Sequence, residues 1–287
     1  MKIRQDAFRL PVGEGECFCL YRAPADRAPA AAVLHLPAIG DEMNKARAMT
    51  AQAARAFAAH GCAVLQIDWI GCGDSSGEHA QTHPLLWLEN ATRALEWMRR
   101  EHGDNATEWL WCLRGGALLA PALLEHAAPG ASLLLWQPVL SGAQHLNHML
   151  RLKLAGTLID ARDNRSSTKV LRERLLAGEM LSVGGYEISP CFARELEAMT
   201  FQIPSGHRSR VVWFELSASA PASLSPAAAA NIDGARAAGT EIISCALQGP
   251  GFWQSVEIEH CEALIAESIA AFALDLTGAV SRNAVVL

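Results

Sequence analysis

The chain alternates between short, unbroken apolar runs and longer stretches with helical spacing. "AAVLHLPAIG" (31–40), "CAVLQIDW" (62–69), residues 108–113 and "ASLLLWQPV" (131–139) are continuous apolar runs, as strands covered on both faces require. Between them, "NKARAMTAQAARAFAAHG" (44–61), "PLLWLENATRALEWMRREHG" (84–103) and residues 115–127 repeat apolar positions at helical intervals. Gly61 and Gly103 stand where helix C-caps belong, and Pro84 stands near a helix start. The rhythm resumes after residue 208, with strands at 209–216 and 240–247 and helices at 227–239 and 260–276. A hairpin over 6–22, turned at Gly13-Glu14-Gly15, opens the chain. This alternation predicts an α/β fold, with a mostly parallel central sheet and helices on both faces.

The interval 143–207 breaks the rhythm. It is amphipathic and helical, without strand signals until "SVGGYEIS". The pattern predicts a helical lid (cap) inserted after the sixth strand, over the strand ends. Residues 1–142 and 208–287 then form the core.

Composition narrows the function classes. Of 287 residues about half are apolar, enough for one large core or a core with a small appended unit. No run of about eighteen apolar residues occurs, so no membrane span is expected, and "MKIRQDAFRLPVGEGE" lacks an apolar signal core. Eight cysteines form no C-x-x-C pair, and only Cys17 and Cys19 stand close, one residue apart. That suits free thiols and a cytoplasmic location. A net charge of −6 argues against general nucleic-acid binding.

Candidate chemistry concentrates at the strand–turn–helix corner within 108–128. A nucleophilic serine occupies such a corner in the pattern G-x-S-x-G. Here the five positions read Cys112-Leu113-Arg114-Gly115-Gly116, with arginine in the serine position. With "HLPAIG" after the third strand and "DWIGCGDSSG" after the fourth, this order of elements resembles the α/β-hydrolase superfamily. More narrowly, the chain resembles the bacterial exosortase A system-associated hydrolases of type 2. That resemblance rests on "DEMNKAR" (41–47), "LQIDWIGCGDSSG" (65–77), "WLWCLRGG" (109–116), "WQPVLSGAQHLNHMLRLKLAG" (136–156), "GGYEISP" (184–190) and "GPGFWQSVEIE" (249–259). It covers nearly the whole chain and implies a role linked to exopolysaccharide production and the sorting of PEP-CTERM proteins.

Ester or amide hydrolysis on this fold needs a nucleophile, a histidine to take its proton and an acid to orient the histidine. Arg114 cannot be the nucleophile, because its guanidinium stays protonated. The loop after the last strand, "QGPGFWQSVE" (248–257), contains no histidine, and His260 is placed to start the last helix. The loop "SASAPASLSP" (217–226) contains no acid, and Glu215 lies within the preceding strand. Two substitutes for the serine present themselves. Ser75 satisfies G-x-S-x-G in "GDSSG" (73–77), but no helix starts directly after it. Cys112 ends a strand, where Arg114 or a helix N-terminus would lower its pKa; its competing role is a small buried strand residue.

An arginine at a helix start, beside backbone N–H groups, makes an anion site. The main expectation is therefore non-catalytic binding of an anionic or acyl-bearing ligand at Arg114 and Gly115, or else an internal salt bridge from Arg114 to Glu42, Asp68 or Glu257. Both hold if a ligand displaces the internal partner. The ligand class implied is a small molecule or a lipid- or sugar-linked anion. Asn44 and Lys45 are candidates to line the cavity, Asn44 being equally a helix N-cap. Gln137, Trp253 and Gln254 sit where strand ends meet a ligand. The lid segment from Ala143 to Leu175 carries Arg151, Lys153, Arg162, Arg165, Lys169, Arg172 and Arg174 against Asp160, Asp163 and Glu173. Four positive charges in excess would attract an anion, although a solvated helix face explains them equally. Asp68, with Gly71 and Gly73, shapes a turn. His145 and His148 lack an evident third metal ligand and read as packing or surface residues. No metal or cofactor is expected. The alternatives are an active hydrolase or acyl transferase using Cys112, and an interaction module with its cavity filled.

Overall fold

The computed structural model describes residues 2–103, 106–157 and 167–277. Strands β1 (Ile3–Val12) and β2 (Gly15–Pro24) pair antiparallel through the two-residue turn Gly13-Glu14. Gly13 takes φ 56, the positive φ that tight hairpins demand. Then follow β3 (Ala31–Leu36), α1 (Asp41–Ala59), β4 (Cys62–Ile67), α2 (Pro84–His102), β5 (Thr107–Leu113), α3 (Ala120–His126) and β6 (Ser132–Trp136). After an insertion come β9 (Val211–Ser217), α7 (Pro226–Ala237), β10 (Ile242–Gln248) and α8 (Glu262–Thr277). The eight strands of the main sheet lie in the order β1-β2-β4-β3-β5-β6-β9-β10. All neighbours from β4 to β10 are parallel, and β2 joins β4 antiparallel.

Side chains in these strands alternate between two apolar layers, as a period of two requires. Trp109, Trp111 and Leu113 of β5 join Phe57 of α1 and Phe272 of α8 on one face. Leu110 and Cys112 join Trp87 of α2 and Leu123 of α3 on the other. The register of β5 therefore already decides which way Cys112 points.

The insertion between β6 and β9 contains α4 (Gly142–Thr157), α5 (Thr168–Leu176), the hairpin β7 (Leu181–Val183) and β8 (Tyr186–Ile188), and α6 (Pro190–Ala198). A bridge between Ser141 and Thr200 closes its neck. Its buried residues Leu146, Leu150, Leu175, Phe192 and Leu196 continue the apolar layer of α2 and α3.

Among the element starts that differ from the sequence expectation, three helix starts have a local reason or bear on the site. Helix α1 begins at Asp41 rather than residue 44. Gly40 is its N-cap at φ 67, and Asp41 and Glu42 occupy the first turn, where carboxylates favour the helix dipole. The helix expected over 115–127 is a 3₁₀ segment over Arg114–Leu119 followed by α3. Pro121 opens the regular part, and Gly115 and Gly116 are poor helix formers. Helix α8 starts at Glu262, leaving His260 exposed just before it. Among the described residues, no helix is long and apolar enough to cross a membrane.

Candidate functional site

The candidate site lies where β5, β6 and β3 end. Arg114 follows β5 with φ 51, and Gln137 follows β6 with φ 46. Both are non-glycine residues in the left-handed region, which costs about 1–3 kcal/mol each and concentrates at functional corners. The turn fits only because Gly116 has no side chain: a Cβ there would stand 2.2 Å from the Leu36 carbonyl oxygen. A Cβ on Gly115 would stand 2.8 Å from Ile39. The corner is thus pressed directly against the end of β3.

The Arg114 guanidinium is held on three sides. Nη2 donates to Glu42 Oε1 at 3.0 Å and Nε donates to Glu42 Oε2 at 3.2 Å. Nη1 donates to the Gln137 carbonyl at 3.3 Å, and the Trp253 ring lies 5.1 Å from the guanidinium carbon, within cation–π reach. The side chains of Arg114 and Glu42 are 17% and 8% exposed. Of the three carboxylates expected to compete for Arg114, Glu42 is the partner. Asp68 instead accepts from Arg47 at 2.9 Å and from the Asp74 backbone at 3.0 Å, and Glu257 is exposed.

His145 completes the cluster from the insertion. Helix α4 packs on the corner, and His145 is buried there with no partner for its Nε2. Burial pushes its pKa down to about 4, against the pull of Glu42 and with the repulsion of Arg114 and His148. The imidazole is therefore neutral near pH 7. His145 is a residue the sequence reading missed as part of the site. His148 stacks on it at 6.5 Å, and no third metal donor joins the pair among the described residues.

The other expected site residues divide sharply. Gln137 and Trp253 touch Arg114, but Gln137 spends its side chain on β9, where Oε1 accepts from Leu216 N at 2.6 Å. Asn44 donates to the Tyr186 hydroxyl at 2.7 Å, and Lys45 pairs with Asp41 at 2.7 Å. Neither hydrogen-bonds to Arg114, whose partners are Glu42 and the Gln137 carbonyl, and Asn44 lies inside α1 rather than at its N-cap. Gln254 is exposed and folds onto its own loop through Gly251. The thiol of Cys112 is fully buried in the α2–α3 layer, donates only to Leu110 O at 3.7 Å, and has its pKa pushed up by burial. This is the opposite of activation, so Cys112 is corrected from candidate nucleophile to core residue.

The remaining triad candidates are also engaged elsewhere. Glu215 accepts from Ser225 N at 2.5 Å and from Ser225 Oγ at 3.0 Å, holding the N-cap of α7. Ser75 Oγ donates to Asp68 O at 2.7 Å and accepts from Phe18 N at 2.8 Å, bracing a loop. Among the described residues, no serine or cysteine hydrogen-bonds to a histidine. In the basic segment of the insertion, Arg172 binds Glu197, Arg174 binds Glu179, and Lys153 donates to the Ser182 carbonyl. Acids just beyond that segment therefore offset its charge. Arg162, Arg165, Asp160 and Asp163 lie outside the described residues. A cavity of about 170 Å³ opens beside the site, between α1 and the sheet, lined by His35, Arg47, Thr50, Gln66, Asp68 and Leu113.

Fold and corner together define an α/β-hydrolase architecture. Comparison with solved structures agrees. The chain is similar to esterase Est1E of Butyrivibrio proteoclasticus, solved with ferulic acid (TM-score 0.64, 12% identity, 95% of this chain and 100% of that one). It is similar to an esterase of Pyrobaculum calidifontis (0.60, 12%, 97% and 86%). It is also similar to an α/β serine hydrolase described as lacking a lid, from Xanthomonas campestris (0.55, 12%, 98% and 97%). At such identities the likeness carries the fold and not the chemistry. No protein-family model and no curated protein matches the chain.

Proposed function

We propose that this protein is a non-hydrolytic bearer of the α/β-hydrolase fold that binds an anionic or acyl-bearing ligand at Arg114. One observation carries the reading: a planar, permanently charged fork stands on the strained backbone position that a nucleophile otherwise takes, at φ 51. Glu42 fills the place of the ligand's carboxylate or phosphate in the unliganded state. A ligand would displace it, and the neutral His145, already close enough to feel its charge, would face the displaced carboxylate. Residues 143–207 act as the lid in this reading. The resemblance to exosortase A system-associated hydrolases supports a ligand drawn from exopolysaccharide or exosortase-linked assembly. Eight unpaired thiols, six of them buried, suit a cytoplasmic setting.

Calorimetric titration with glucose 1-phosphate, glucuronate and octanoyl phosphate tests this. Arg114→Lys loses the fork and should bind at least about tenfold more weakly. Glu42→Gln removes the internal competitor and should bind more tightly. Equal affinity in both variants would sink the proposal. The second reading, an interaction module with a filled corner, is favoured by the full set of contacts on Arg114; it predicts no binding by any variant. Ester turnover lost only in Cys112→Ala would restore an enzyme.

A further inference from the structure

A second polar cluster joins the insertion to the core, away from Arg114. His83 is the N-cap of α2, in extended backbone directly before Pro84. Cys191 and Glu195 stand one turn apart on α6, whose first residue is Pro190. His83 Nδ1 lies 2.9 Å from Glu195 Oε2, and the Cys191 thiol donates to Glu195 Oε1 at 3.5 Å. The backbone N–H of Leu85 donates to Glu195 Oε2 at 3.0 Å, fixing the carboxylate. One donor atom from each of the three side chains falls within 4.8 Å of the others.

We infer that His83, Cys191 and Glu195 bind a zinc ion that staples α6 of the insertion to the start of α2. Imidazole nitrogen, thiolate sulfur and carboxylate oxygen are the donors zinc prefers, and three protein ligands leave the fourth tetrahedral position to water. Tetrahedral zinc holds its donors about 3.3–3.6 Å apart, so the observed separations need only shifts on the order of 1 Å. The thiolate and carboxylate neutralise the dication, and the imidazole binds as a neutral ligand. Binding releases the thiol proton to solvent. The site is also reachable: Cys191 is exposed, whereas six of the other seven thiols are buried.

The test uses the full chain, stripped with a chelator and titrated with zinc against a chromophoric competitor. Cobalt substitution is followed by its near-ultraviolet thiolate charge-transfer band. One ion per chain is expected, with the cobalt–thiolate band present. Cys191→Ser should abolish that band, and Cys191→Ser, His83→Ala and Glu195→Gln should each weaken zinc binding at least about tenfold. Cys245→Ser, the control at the other thiol that is not fully buried, should change nothing. Zinc should raise the melting temperature of the wild type and leave that of Cys191→Ser unmoved. Wild-type zinc stoichiometry and affinity in Cys191→Ser, or a cobalt spectrum without the thiolate band, overturns the site. Because the readouts are metal binding and melting, failure here leaves the Arg114 reading untouched.

Discussion

At the β5 corner, Arg114 pairs with the buried Glu42, and the buried His145 of α4 is near enough to feel both charges. At the seam between α2 and α6, His83, Cys191 and Glu195 meet near the surface, with His83 and Glu195 side chains 33% and 21% exposed. Both clusters join insertion to core, yet burial gives them different physics. In the first, the Glu42 carboxylate depends on its partner, because its side chain is only 8% exposed and little water can replace the guanidinium. In the second, water solvates whatever is left unpaired, so the groups stay free to exchange partners.

The sharpest way to break the comparison is to remove one charge from each cluster. Arg114→Ala strands a buried carboxylate and should cost about 3–5 kcal/mol in urea denaturation, whereas the paired change Arg114→Met with Glu42→Leu should recover most of it. In metal-free protein, His83→Ala should cost less than about 1 kcal/mol. Equal losses at the two clusters would erase the distinction. Gly116→Ala should come next, at about 1–3 kcal/mol, since its Cβ meets a carbonyl that cannot rotate away. A smaller effect is expected from acid. His145 has a folded pKa of about 4, below the ordinary value near 6.5. The unfolded chain therefore binds more protons between these values, and stability is complete above pH 6.5 and falls as pH drops towards 4. His35, held down to about 3 by burial, adds to the same slope. His145→Gln should flatten melting temperature against pH in that window; an unchanged slope would remove His145 from the account.

Much of the architecture was legible because strands and helices announce themselves by period. The corner was legible too, since arginine in a serine position is visible as a letter, and Glu42 stood among the three partners weighed for it. What stayed hidden depended on phase and docking. Starting α1 three residues early changes which side chains point inward: two positions apart on a helix are about 200° apart, so Glu42 faces Arg114 and Asn44 faces β8. His145 carries no local mark, because its place beside Arg114 exists only once α4 packs on the corner. Cys112 stayed open between nucleophile and buried strand residue for a related reason. Arg114 stands two positions further on, but β5 ends between them: the thiol stays in the α2–α3 layer, while the turn at Arg114, with φ 51, carries the guanidinium to Glu42 of α1. The balance of the insertion's charge was likewise set by Glu179 and Glu197, acids close in space but beyond the basic segment.

The apolar layer shared by α2, α3 and the insertion has one more consequence. A flap that swings needs a seam, a plane where two surfaces separate without tearing oily contacts. Here Phe192 and Leu196 belong to the same packed body as Trp87 and Leu123, so parting α6 from α2 would break the Trp87–Phe192 ring contact as well as the His83–Glu195 contact. Entry to the corner would then come from the turning of single side chains around Arg114, and the chain should melt as one cooperative body, its insertion no earlier than its sheet.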